Sequence, residues 1–404
     1  MFEIFDRNKG QKVPLKVWLE DVSKMENGCL EQALNLTRLP FVYDHVALMP
    51  DTHQGYGMPI GGVLATRNAI IPNCVGVDVG CGVAAYRFEY KAADLDVEKR
   101  KAIMGLIRET IPLGFNHHAR PVPIDMMPAL PETNFPIPVI KEQFTKARNQ
   151  LGTLGGGNHF IELQADEDGY LWAMVHSGSR NLGKMVCDHY NKVARDLNFK
   201  WPMEIPPSWQ LDALPIGTPA AASYIAEMNF CLEFAKRSRA EMMRQVAVAI
   251  AKVTGAEGAT YMLDIHHNYA AFEEHYGEKV WIHRKGATKA LAEGKGIIPG
   301  SQGTHSYIVM GKGNHDSFMS CSHGSGRAMS RAAAKKNLNL EAEIKRMNDL
   351  GVVHGMRTEA DLDEAAGSYK DITMVMDNQQ DLVTVVHKLT PLAVVKGPSK
   401  QGRR

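Results

Sequence analysis

No run of apolar residues in the 404-residue chain is long enough to span a bilayer, and the opening MFEIFDRNKGQK carries charges where an export signal needs an apolar stretch. That pattern predicts a soluble, unexported protein located in the cytoplasm. Cysteine is scarce: Cys29, Cys74, Cys81, Cys187, Cys231 and Cys321 are scattered, with no C-x-x-C pair. A disulfide framework is not expected, nor are the closely spaced ligand pairs of a structural zinc site. An excess of one charge sign is also missing, since 46 Lys and Arg oppose 45 Asp and Glu, so nucleic acid would have to be met through a local patch. Aromatic residues, at 7%, are too few to suggest a run of base-stacking platforms. Neither an internal repeat nor a long Pro/Ser/Gly linker divides the sequence, which reads as one large domain with a polar, basic, mobile end, GPSKQGRR.

What is present is globular patterning. Residues 92–110 carry Leu95, Ile103, Leu106 and Ile107 at helical spacing, continued by Ile111, and predict a packing helix. A longer helix is predicted over 219–254, with Ile225, Met228, Leu232, Ala235, Met242, Val246 and Ile250 on one face. Its methionines read as core filler. The runs 170–177, 279–284, 306–311 and 382–389 are β-prone and bounded by turn residues. Helices and strands mix without regular βαβ alternation, which predicts an α+β fold.

The stretch SCSHGSGRAMSR, Ser320 to Arg331, sets one histidine among small residues ahead of a basic run. Gly324 and Gly326 allow close approach of a ligand to the backbone. A helix over 327–337 would turn its first amides toward His323, and Arg327, Arg331, Lys335 and Lys336 would add charge suited to phosphate. A second set of residues has metal-ligand character. NCVGVDVGCGV places Asp78 and Cys81 three apart, LGTLGGGNHFIEL presents Asn158 and His159 at a strand start, MVHSGSRNLG ends a strand at His176, and DIHHNYA holds His266 and His267. A carboxylate, a thiolate and three histidines could build a two-cation site bridged by Cys81, whereas any one of these histidines alone could be a satisfied core residue. Asp51 and His53 in MPDTHQGYGMPIGG suggest a loop beside that site, without an assigned chemistry.

Taken together, MPDTHQGYGMPIGG, VGVDVGCG, LGTLGGGNHFIE, VHSGSRNLG, HHNY, RKGAT, GIIPGSQGTHSYIV and CSHGSGRAMSR resemble the RtcB family of RNA ligases in motif order, up to VVKG at 394–397. The resemblance implies a single α+β domain over 1–397 with a mixed-sheet architecture, and a tail over 398–404. It implies joining of RNA ends bearing a 2′,3′-cyclic phosphate or 3′-phosphate to 5′-hydroxyl RNA ends, with GTP and two Mn²⁺ ions, in RNA repair or tRNA splicing. One ion would be held by Asp78, Cys81 and His159, the other by Cys81, His176 and His267. His323 would be the nucleophile that takes GMP, and neutral imidazole needs no activating base of its own. GTP would be held by Asn158, His159, Phe160, Ile161, Glu162, His267, Asn268, Pro299, Gly300, Ser301, Gln302, Ser306, His323, Gly324, Ser325, Gly326 and Lys396. Arg180 would grip the RNA phosphate, and an archease-type activator is among the partners the resemblance implies. The rival reading is a metal-dependent phosphodiesterase that opens cyclic phosphates without guanylylation.

Overall fold

Asp96 decides where the first long helix begins. Its carboxylate accepts from the Lys99 amide at 2.8 Å, so the helix runs Val97–Thr110 and the preceding Ala92–Asp94 is a separate 3-10 turn rather than part of a helix from residue 92. The helix Pro219–Thr254 has the predicted bounds. Thr218 caps it by accepting from the Ala221 amide, Pro219 opens it, and Gly255 closes it at φ 73°. These features come from a computed structural model, which describes residues 1–200 and 204–398. The basic end expected over 398–404 lies outside the described residues except for Pro398.

Two sheets form the frame. One has six strands in the order Phe2–Ile4, Leu15–Val17, Val42–His53, Ile60–Thr66, Glu278–Lys285, Asn268–His275. The other has seven, in the order Ala259–His266, Gly82–Lys91, Tyr170–Ser177, Phe160–Ala165, Val383–Lys396, Ser306–Gly311, Lys295–Ile298. The named pairings are antiparallel except that of Leu15–Val17 with Val42–His53. Mixed helices and antiparallel sheets make the α+β class. The strand expected to end at 389 continues to Lys396, because the ladder absorbs Pro391 in a register shift between Pro391 and Ala393. No helix among the described residues is long and apolar enough to cross a membrane.

Period-two alternation sends successive residues of the seven-stranded sheet to opposite faces. Ala84, Ile161, Leu163, Ala173 and Val175 pack against Ile103 and Ile107 of one helix and Met242, Val246 and Ile250 of the other. Val83, Ala85, Phe160, Trp172 and Met174 face the other way, with Ile308 and Val394. Ile161, which is fully buried, thus belongs to the helix-covered core. Ile161→Ala should lower unfolding free energy by about 2–4 kcal/mol in urea melts, the cost of a cavity in a packed interior.

Candidate functional site

Sheet register gathers the donors that the sequence scatters. Gly82 pairs with both Ser177 and His266, and Phe160 pairs with His176. Cys81, His159, His176 and His267 each lie at or beside one of these paired positions, so four strand ends deliver four side chains to one end of the sheet. His267 is the single residue between Ala259–His266 and Asn268–His275, where the chain passes from one sheet to the other. Its amide donates to the Cys81 carbonyl at 2.9 Å, and its carbonyl accepts from the Ala287 amide at 3.2 Å. Asp78 completes the group from the turn before Cys81, and only glycine fits opposite it: a Cβ at Gly178 would lie 2.1 Å from Asp78 Oδ2.

The donor atoms form a chain of contacts. Asp78 Oδ2 lies 3.0 Å from His159 Nε2, which lies 3.5 Å from Cys81 Sγ. Cys81 Sγ lies 3.3 Å from His176 Nε2, which lies 3.4 Å from His267 Nε2. Cysteine stands in the middle, with a carboxylate and a histidine on one side and two histidines on the other. The ligating atoms of Cys81, His159 and His176 all lie within 4.8 Å of one another. His159 Nδ1–H donates to the Leu154 carbonyl at 3.1 Å, which leaves the Nε2 lone pair aimed at Asp78 and Cys81. Burial pushes His176 and His267 well below the usual imidazole range, so both present neutral rings. Burial, reinforced by Asp78, pushes the Cys81 thiol well above its ordinary range. Burial pushes the Asp78 carboxyl up most, but its contacts with His159 and Cys81 and the nearby Arg180 charge together more than offset that and hold the group low. Oxygen, nitrogen and sulfur donors converging at this spacing would hold a cation in place of the protons they share, and the mixed set fits a transition metal.

His323 reaches this group from a ribbon formed by Ala287–Lys289 and Ser320–Ser322. Its ring lies 4.8 Å from that of His267, centroid to centroid. The Asp51 carboxylate organises the loop: Oδ2 accepts from His323 Nδ1 at 2.6 Å, the His323 amide at 3.0 Å and the Gly324 amide at 3.2 Å. Gly326 makes the fit possible, at φ 69° with its backbone so close that a Cβ would lie 2.0 Å from the Asp51 carbonyl. Nε2 is then the ring nitrogen left to react. The helix expected over 327–337 is shorter, Arg331–Asn337, with Ser330 as its cap. Arg327 is drawn away by a β-bridge to Tyr369 and by bonds to the Met329 and Asp363 carbonyls. The amides beside His323 therefore serve Asp51, not a helix N-terminus. Arg327 and Arg331 pair with Glu364, and Lys335 with Asp363, so those charges are internally committed.

A cavity of about 800 Å³ joins the pieces. Its wall includes Asp78, Cys81, His176, His267 and His323, then Asn158, Phe160, Glu162 and Asn268, the stretch Pro299 to Gln302, Gly324 to Gly326, and Lys396. Four expected residues are off the wall. His159 stands behind Asp78 and Cys81; Ser306 accepts from the Gly300 amide at 3.0 Å and the Gln164 side chain at 3.0 Å; Ile161 packs in the core. Arg180 lies alongside, its Nη2 donating to the Gly114 carbonyl at 2.7 Å and its Nε to Thr153 at 3.1 Å. Asn268 is partly committed to the scaffold, linking the Asp78 carbonyl to the Gly286 amide.

Sequence reasoning gave Asp51 no chemistry and missed Glu364, Tyr369 and Lys285, all three on the wall. Glu364 gathers Arg327, Arg331 and Lys396 and accepts from the Tyr369 hydroxyl. Its only sequence signal is its place beside Tyr369 in DEAAGSYK. Lys285 donates to the Tyr56 and Asn73 carbonyls, and burial lowers its ammonium to about 8. Burial raises Glu162 from 4.5 to about 8. Because the folded chain then holds a proton that the unfolded chain releases, the Glu162 contribution to stability is fully present below pH 4.5 and is lost as pH rises to about 8. Glu162→Gln removes that dependence, so melts should show the variant gaining on wild type by about 1.4 kcal/mol per pH unit across the window; a pH-independent difference would refute the raised acid.

The family described as "tRNA-splicing ligase RtcB" matches residues 32–132 and 132–397. The chain is 37% identical to the RNA-splicing ligase RtcB of Escherichia coli (strain K12), over 96% of this chain and 98% of the relative. It is 31% identical to the tRNA-splicing ligase RtcB of Pyrobaculum aerophilum, over 96% of this chain and 95% of the relative. A mixed-sheet α+β domain with a histidine beside a cluster of carboxyl, thiol and imidazole groups is thus matched along nearly its whole length. The chain belongs to the RtcB family.

Proposed function

We propose that this chain is a GTP- and Mn²⁺-dependent RNA ligase that joins 2′,3′-cyclic phosphate or 3′-phosphate RNA ends to 5′-hydroxyl RNA ends, in RNA repair or tRNA splicing. The observation that carries the reading is His323, fixed through Nδ1 by Asp51 and set 4.8 Å from the ring of His267 in the donor cluster. A phosphodiesterase needs the cluster but has no use for an oriented nucleophilic histidine at its edge.

In this reading His323 Nε2 attacks the α-phosphorus of GTP. The nitrogen–phosphorus bond forms, the bond to the bridging oxygen breaks, and pyrophosphate leaves. As the ring gives up its electron pair it gains positive charge, and the Asp51 carboxylate on Nδ1 offsets that charge and holds the tautomer. Asp78, Cys81 and His159 would hold one Mn²⁺ and Cys81, His176 and His267 the other; bound there, the ions supply Lewis-acid stabilisation of phosphate oxygens. Glu162 and Lys396 face the cavity with Asn158 and Phe160, a carboxyl and an ammonium suited to the donor and acceptor edges of guanine. Arg180, beside Asp78, is assigned to the RNA 3′-phosphate, which a guanidinium fork matches. GMP then passes from His323 to that phosphate, and the 5′-hydroxyl of the second RNA displaces GMP.

Incubation with α-³²P-GTP and Mn²⁺ tests the first step. Wild type should take up an acid-labile, alkali-stable label and His323→Ala none; absence of label from folded, metal-loaded wild type that carries no GMP beforehand would overturn the ligase reading in favour of the phosphodiesterase. Asp51→Asn should slow labelling by about 10²- to 10⁴-fold, the scale seen when a histidine loses its orienting carboxylate, while Mn²⁺ binding measured by calorimetry stays unchanged.

A further inference from the structure

Arg239 stands in the middle of the helix Pro219–Thr254, and its side chain is completely buried. A buried guanidinium is tolerated only where its donors are used, and here they are. Nε and Nη2 form a two-point pair with the Asp264 carboxylate at 2.8 and 2.6 Å. Nη1 donates to the carbonyls of Gly80 at 3.1 Å and Ser177 at 2.9 Å, and Nη2 lies 3.2 Å from His266 Nδ1. Gly80, Ser177 and His266 are the immediate chain neighbours of Cys81, His176 and His267. The backbone after Cys81 packs directly against the guanidinium, since a Cβ at Gly82 would come 3.0 Å from Arg239 Cζ and 2.4 Å from the Ile265 carbonyl. One side chain therefore ties together the three segments that carry the thiol and two of the imidazoles.

We propose that Arg239, locked in place by Asp264, is a positioning residue for the cation site and sets the mutual spacing of Cys81, His176 and His267. The proposal rests on the cation reading given above. Lysine cannot substitute, because a single ammonium point cannot hold a carboxylate in two places and two carbonyls besides. A matched comparison exists in the same chain: Arg284 is also fully buried, makes a two-point pair with Glu273 and donates to Ser320, the Phe318 carbonyl and the Tyr269 hydroxyl, partners that are not adjacent in the chain to Cys81, His176 or His267.

The test is titration of metal-free protein with Co²⁺, reading the thiolate-to-cobalt charge-transfer band and the d–d envelope, beside thermal melts of the metal-free chains. Arg239→Lys should bind Co²⁺ about 10- to 100-fold more weakly, the range for losing an outer partner of metal ligands, with an altered d–d envelope in a chain that still melts cooperatively. Arg284→Lys should lose stability but bind Co²⁺ as wild type does. Wild-type affinity and spectrum in folded Arg239→Lys, or an equal loss in both variants, overturns the proposal and leaves Arg239 as a brace between helix and sheet. If Arg239→Lys does not fold, Asp264→Asn carries the same readout, and unchanged cobalt binding there overturns it. Wild type that folds but shows no thiolate–cobalt band is a separate result, which removes the cation reading and this proposal with it.

Discussion

Electron-pair donors facing one another away from water are the constraint around which this fold is arranged. Asp78, His159, Cys81, His176 and His267 make contacts of 3.0 to 3.5 Å in a single sequence of neighbours. Brought this close at the end of a cavity, such atoms are best satisfied by a cation between them. The surrounding scaffold works to hold them there. Paired strand ends set the register, Gly178 makes room for Asp78, Leu154 fixes the His159 tautomer, and Arg239 clasps three of the supporting segments.

The neighbouring histidine is held by a different logic. Three donors converge on one Asp51 oxygen, so His323 is oriented by a carboxylate that is itself wholly buried, on a loop that Gly326 allows to lie flush on its strand. The two devices share the cavity wall, with the His323 ring on one and the Asp78, Cys81, His176 and His267 donors on the other. Glu364 organises the remaining wall by collecting the charges of Arg327, Arg331 and Lys396. Those basic residues shape the pocket through that buried carboxylate.

Much of the frame was legible because it depends on local rules. Helical spacing marked Pro219–Thr254, and β-prone runs marked Tyr170–Ser177 and Ser306–Gly311. The donor residues were legible for a related reason: each sits where a strand meets a glycine-rich turn or a change of sheet. What stayed hidden depends on long-range pairing. Asp51 and His323 are 272 residues apart, and nothing near either one announces the other. Glu364 and Arg239 likewise look ordinary until their partners are seen. Ile161 shares a strand with Phe160 and Glu162, but alternation turns it into the opposite core. The β-prone run 382–389 stopped short of Pro391, whereas the sheet carries on past that residue with a shifted register.

The claim on which the account turns is that Cys81 is shared between two cations. Anomalous diffraction at the manganese edge from crystals of the Mn²⁺-loaded chain reads it directly. Two peaks per chain are expected flanking Cys81 Sγ, one towards Asp78 and His159 and the other towards His176 and His267; a single peak, or peaks away from Cys81, would contradict the shared thiolate.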